Sequence, residues 1–148
     1  MRREPTLRER ALRLLARREH SRTELAKKLK ADAGTEEDLA ALLDELSQRK
    51  LLSDERYAES RARVLSRKYG AGRIAHELRS TGVDEQLAEL ALKSVRVTEV
   101  ERAREIWRKK FRSIPRTREE KARQMRFLQS RGFSLEAIRA VVGRGDED

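Results

Sequence analysis

The side chains best equipped for chemistry in this sequence are the cations of its last third. Arg104, Arg108, Lys109 and Arg112, followed by Arg116, Arg118, Arg123 and Arg126, recur at spacings of one to five residues. With Arg102 they flank an apolar stripe, so a helix holds them toward solvent while Trp107 and Phe111 turn to the core. Guanidinium and ammonium groups donate to phosphate and carboxylate, so the chemistry on offer is recognition of a polyanion, either nucleic acid or an acidic protein surface. The competing reading is a solvated face stitched by pairs such as Glu105 with Lys109 at i,i+4, worth ~0.2–0.5 kcal/mol each. Residues 96–148 carry 15 Lys and Arg against 9 Asp and Glu, a net +6, compared with +3 for residues 1–52 and +1 for residues 53–95. Acids in that stretch are too few to pair every base, which favours a partner. A second group, Arg67, Lys68 and Arg73, brackets Gly70-Ala71-Gly72. Cations there either meet a partner at a loop held by two helices or simply sit at a helix C-terminus.

No arrangement for catalysis accompanies them. The chain has no cysteine, which excludes disulfides and thiolate metal sites, and His20 and His76 give no pair of ligands to start a zinc site. His76 reads as an ordinary helix-surface residue. Ser21, Thr6 and Thr117 are the conspicuous hydroxyls, and each fits a helix cap; Gly70-Ala71-Gly72 lacks the Gly-Lys-Ser/Thr end of a phosphate-cradling loop. The expectation is a binding protein, not an enzyme, with neither metal nor cofactor. Tyr57, Tyr69 and Trp107 are candidate stacking platforms for bases. Only 4% of residues are aromatic, and Tyr69 and Trp107 fall on apolar stripes, so core packing is the favoured role.

The elements that must position these side chains are helices. Of 148 residues, 42% are charged and 37% hydrophobic, with two Pro and seven Gly, too few to punctuate many β-turns. The formal net charge is +10, which suits a polyanionic neighbour. No apolar run nears the ~20 residues of a membrane span, and no signal-like stretch follows Met1, so a cytoplasmic protein is expected.

Helix starts recur as capping boxes, Thr6-x-x-Glu9, Ser21-x-x-Glu24, Thr98-x-x-Glu101 and Thr117-x-x-Glu120, with Thr35-x-x-Asp38 a close variant and Ser53, Asp84 and Ser134 as simple caps. Apolar residues at helical spacing follow each, giving nine helices in three groups of three. First-helix caps at Thr6, Ser53 and Thr98 lie 47 and 45 residues apart, the spacing of a helical repeat. Leu78-Arg79-Ser80-Thr81-Gly82-Val83 also aligns with Leu128-Gln129-Ser130-Arg131-Gly132-Phe133 at an offset of 50. A unit of ~45 residues buries little surface alone, so the predicted fold is all-α: three tandem three-helix repeats, 1–52, 53–96 and 97–143, stacked into an elongated, curved array. Residues 144–148 are expected to be a disordered tail. Their Arg144-Gly145-Asp146 resembles an adhesion tripeptide but reads as a solvated terminus.

Four segments resemble one family. Ser21-Arg22-Thr23-Glu24-Leu25-Ala26-Lys27-Lys28-Leu29, Asp54-Glu55-Arg56-Tyr57-Ala58, Gly70-Ala71-Gly72-Arg73-Ile74-Ala75-His76-Glu77-Leu78 with Gly82, and Arg131-Gly132-Phe133 are similar to signatures of the RecX regulatory proteins. Ala71 stands where that family usually has Pro, which leaves the entry into the fifth helix less rigid. The resemblance implies a non-enzymatic regulator that binds in the groove of the RecA–DNA filament. It further implies restraint of filament growth or retention, and thereby of ATPase, strand exchange and co-protease activity, in DNA repair and the SOS response. The implied partners are the RecA filament and single- or double-stranded DNA, with no membrane partner, for a chain expected to be monomeric.

A rival reading takes residues 21–57 as a winged-helix-like, helix-turn-helix DNA-binding transcription regulator. It lacks a wing, because another capped helix follows Leu51-Leu52, and Glu36, Glu37, Asp38, Asp44 and Glu45 make the third helix a poor face for phosphates. A generic helical scaffold for an acidic protein keeps the fold without the nucleic-acid link.

Overall fold

Seven of the eight anticipated caps form. In the computed structural model, which describes residues 3–143, the hydroxyls of Thr6, Ser21, Thr35, Ser53, Thr117 and Ser134 accept the amide three residues on at 3.0 to 3.2 Å, and Asp84 accepts that of Gln86 at 2.8 Å. Several acids of the boxes turn elsewhere: Glu9 pairs with Arg3 and Glu24 with Arg18, while Glu120 takes the amide of Arg116. Thr98 is the exception. Its φ of −100° and ψ of 8° lie outside the extended region a capping side chain needs, so its hydroxyl donates back to the Val95 carbonyl at 3.3 Å. The sixth helix therefore runs into the seventh with only Thr98 between them.

Among the described residues the chain forms nine α-helices and no strand: α1 Leu7–Arg17, α2 Arg22–Leu29, α3 Glu36–Gln48, α4 Asp54–Leu65, α5 Ala71–Ser80, α6 Glu85–Val97, α7 Glu99–Lys110, α8 Arg118–Ser130 and α9 Leu135–Val142. A 3-10 turn, Lys30–Asp32, extends α2. The helices build three separate cores. Leu25, Leu29, Leu43 and Leu46 centre the first, Tyr57, Ile74, Leu78 and Leu92 the second, and Ala103, Leu128, Phe133 and Ile138 the third. Their separation shows in the accessible surface of 10432 Å². A compact 17.2 kDa monomer exposes roughly 7,800 Å² by the usual mass scaling, so this is an extended array.

Helix ends follow the glycines. Gly82 and Gly132 take φ of +81° and +88°, and the next residues, Val83 and Phe133, fold back to the carbonyls of Leu78 and Leu128 at 3.0 and 3.2 Å. Their side chains then enter the second and third cores, closing the helix end with an apolar contact. Lys50 does the same after α3 with a φ of +62°, a conformation less costly for glycine.

Polar bonds fasten the first unit to the second. Ser21 Oγ, while capping α2, donates to the Thr81 carbonyl at 2.6 Å; the Arg22 amide donates to Asp54 at 2.7 Å, and Arg56 to Glu19 at 2.9 Å. Tyr57 is buried, its hydroxyl donating to Thr81 Oγ1 at 3.1 Å, so it serves the core. The expectations for residues 144–148, including Arg144-Gly145-Asp146, lie outside the described residues.

Candidate polyanion-binding surface

The surface rests on the junction of the second and third units, where two glycine segments meet backbone to backbone. The Gly70 amide donates to the Arg131 carbonyl at 2.8 Å and the Gly72 amide to the Gly132 carbonyl at 3.1 Å. A Cβ on Gly132 would lie 2.4 Å from Arg73 Cβ, and one on Gly70 2.6 Å from the Gly132 carbonyl oxygen, so neither position admits a side chain without movement. Gly70 has no side chain to cap α5, and the buried carboxylate of Glu99, from α7, does so instead by accepting the Ala71 amide at 2.6 Å. The missing proline therefore does not loosen the start of α5 as expected, because Ala71 supplies the N–H that Glu99 holds.

Arg102 is a second departure from expectation. It does not face solvent: its guanidinium reaches back into the second unit and donates to the carbonyls of Ser66 at 2.9 Å, Tyr69 at 2.7 Å and Val95 at 2.8 Å. It thus satisfies carbonyls at the ends of α4 and α6 that the helices cannot satisfy themselves. Burial pulls this guanidinium below its usual pKa, with the Glu99 charge opposing.

The remaining cations of the third unit pair with no carboxylate among the described residues. Every ion pair among the described residues lies between residues 3 and 96. Glu105 and Lys109 do not pair. Arg108, Lys109 and Arg112 are exposed, as are Arg116, Arg118, Arg123 and Arg126; Arg104 is half-buried on α7. In the second unit Arg67 and Lys68 are exposed just beyond α4, and Arg73 lies over the Tyr69 ring at 4.7 Å. His76 is exposed. Trp107 is half-buried in the third core, where its Nε1 donates to Gln124 at 2.8 Å and Gln124 in turn donates to the Ser113 carbonyl at 3.2 Å, pinning the α7–α8 connection.

Three of the anticipated residues are brought together. Arg67 and Lys68 face Lys109 across a groove of about 460 Å³ between the second and third units. Lys110 and Arg131 complete its cationic rim, Ile106 and Phe127 form its floor, and no carboxylate among the described residues lines it. Arg131 lies near two rings, its guanidinium carbon 5.8 Å from the Tyr69 centroid and 5.2 Å from that of Phe127. Lys110 lies over Phe127 at 5.5 Å, and Phe111 meets the same ring edge-on, with centroids 5.5 Å apart. Sequence reasoning missed Lys110, Phe127 and Arg131. The available signal was the spacing of Ile106, Lys109 and Lys110, which puts them on one face of α7.

Such a surface, fixed by backbone contacts and without counter-charges among the described residues, defines a tandem three-helix-repeat protein with an exposed cationic face. Models of the first, second and third three-helix domains of RecX match residues 8–46, 53–92 and 98–142. The chain is 45% identical over 143 residues to the regulatory protein RecX of Leptothrix cholodnii, covering 97% of this chain and 91% of that one. It is 43% identical to that of Chromobacterium violaceum, covering 97% and 93%. The crystal structure of RecX from Lactobacillus salivarius superposes with a TM-score of 0.81 at 25% identity, covering 92% of each chain. The chain belongs to the RecX family of regulatory proteins.

Proposed function

We propose that this protein binds the RecA–DNA filament and restrains the recombinase, limiting filament growth or subunit retention and with them ATPase, strand exchange and co-protease activity. It acts in the cytoplasm as a monomer and a non-enzymatic modulator of DNA repair and the SOS response. The observation that carries this reading is the cationic face of the third unit, which forms no ion pair among the described residues, in a chain whose relatives are regulatory proteins by name. Arg104, Arg108, Lys109, Arg112, Arg116, Arg118, Arg123 and Arg126, with Arg67, Lys68 and Arg73, are its contact residues toward the recombinase or its DNA. An extended array of rigid units suits a long helical surface, where it spans more than one protomer. The helix-turn-helix alternative is disfavoured because residues 54–65 form α4 where a wing would begin, and because Glu36, Glu37 and Asp38 are exposed at the start of α3.

The test is the ATPase rate of RecA on single-stranded DNA, with the protein added from about one per hundred recombinase subunits upward. A decline at sparse ratios is expected, since a bound molecule that blocks an end acts on many subunits. An unchanged rate at equimolar folded protein would overturn the reading.

A further inference from the structure

The groove between the second and third units differs from the rest of the cationic surface in being built. Arg131 is its centre. Its guanidinium carbon lies 5.8 Å from the Tyr69 ring centroid and 5.2 Å from that of Phe127, and its side chain makes no hydrogen bond or ion pair among the described residues. A guanidinium resting near two rings loses part of its rotamer freedom before any ligand arrives, and its planar fork is matched to two oxygens of one anion. Arg67, Lys68, Lys109 and Lys110 line the groove with it, so five positive charges face 460 Å³ of space with no carboxylate of the described residues among them.

We infer that this groove is a binding site for single-stranded nucleic acid, with Arg131 clamping a phosphodiester and the Ile106–Phe127 floor receiving the adjacent sugar or base. Floor and rim together select the ligand. A single strand alternates phosphates with flat apolar groups, which is the alternation of a cationic rim and an aromatic floor. A run of Asp and Glu satisfies the rim but leaves the floor bare. A duplex is too stiff and wide to bring a base down to a half-buried ring, so it meets only the rim. This assignment rests on the filament reading for its biological setting, and it separates a strand-contacting junction from the cations farther along α8 and on the α7–α8 connection.

The test is fluorescence anisotropy of a labelled 25-residue oligothymidylate with the full chain, over a series of KCl concentrations. Arg131→Gln is expected to weaken binding at least tenfold, and Lys68→Gln with Lys109→Gln about fivefold, each with a salt slope shallower by about 0.7 for every phosphate the variant no longer neutralises. Arg131→Lys keeps the charge and loses the plane, and is expected to recover less than half of the loss. Arg13→Gln with Arg17→Gln, exposed cations on α1 of the first unit, is expected to change binding less than twofold. Should Arg131→Gln fail to fold, the exposed Lys68/Lys109 pair still decides the matter. The inference falls if the Arg13/Arg17 pair costs as much as the groove variants, if duplex binds as tightly as the strand, or if deca-glutamate displaces the strand at equal charge. Strand binding through the groove with no effect on RecA ATPase would sink the filament reading and leave the groove standing; an ATPase effect without strand binding would do the reverse.

Discussion

The carboxylate of Glu99, on the first turn of α7, accepts the amide of Ala71 at the start of α5 at 2.6 Å, so the third unit caps a helix of the second. Proline is normally welcome at a first helical position because the N–H it lacks has no helical partner. Here the N–H has one. Ala71→Pro is therefore expected to destabilise the protein, by about 1–3 kcal/mol, because it leaves a buried carboxylate without its donor. Glu99→Gln keeps an acceptor oxygen and should cost less. Urea midpoints of the two variants check the order, and a neutral Ala71→Pro would show that the cap contributes nothing.

Gly132 faces two constraints at once, a φ of +88° and a Cβ position 2.4 Å from Arg73 Cβ. Either alone costs on the order of 1 kcal/mol or more, and Gly132→Ala must also push the second and third units apart. A loss of roughly 2–4 kcal/mol is expected, as for other severe backbone conflicts. Gly34, whose added Cβ meets nothing nearer than Asp38 Oδ2 at 3.6 Å, is the control, and Gly34→Ala should be close to neutral in the same thermal melts.

These two sites mark where the sequence is legible. Caps, left-handed glycines and apolar stripes depend on atoms within about five residues, so Thr6, Ser53, Gly82 and the three cores could be read directly. Thr98 misled because the box pattern records side-chain types and not the backbone's entry angle, which the direct α6–α7 join removes. Arg102 misled for a longer-range reason: like Arg108 it flanks the apolar stripe of α7, and only the Ser66 and Tyr69 carbonyls, 36 and 33 residues away, turn it inward. Arg131 was visible as part of Arg-Gly-Phe, but its chemistry depends on Tyr69, brought to it by the glycine contact.

His20 makes folding sensitive to mild acid. It is buried, with Nδ1 3.1 Å from the Arg18 carbonyl and Nε2 3.0 Å from Lys28 Nζ. An ammonium only donates, so Nε2 accepts and the ring is neutral with its proton on Nδ1. Burial, followed by the Arg18 and Lys28 charges, lowers its pKa below the usual 6.5, against opposing contributions from the Arg18 carbonyl bond and the Glu24 charge. Above 6.5 both folded and unfolded rings are neutral, and stability is unaffected. Below it the unfolded chain takes up a proton that the folded protein resists, so stability falls until the folded pKa is passed. Glu9, Glu24, Glu85 and Glu89, whose pKa values are also lowered, add their losses only near and below 4.5. Urea midpoints at pH 7.5 and 5.5 should drop for the native chain and much less for His20→Asn. Parallel slopes would assign the acid sensitivity elsewhere.

Arg102 and Arg108 share α7 and a charge but stand in opposite environments, which lets stability and binding be separated. Arg102 serves three carbonyls, and no lysine reaches all of them from one nitrogen; Arg102→Lys should cost about 1.5–3 kcal/mol, the range for hydrogen bonds to charged groups. Arg108 and Arg112 are exposed and unpaired among the described residues, so reversing both to Glu breaks no native ion pair and should shift the melting temperature by no more than a degree or two. The same reversal replaces attraction by repulsion at any anionic partner, and filament binding should weaken severalfold or more, with a smaller salt dependence. Melting curves and a RecA-filament pull-down on both variants give the answer together. If Arg108→Glu/Arg112→Glu unfolds the protein, those arginines serve the fold; if it melts normally and binds normally, the partner lies on another face.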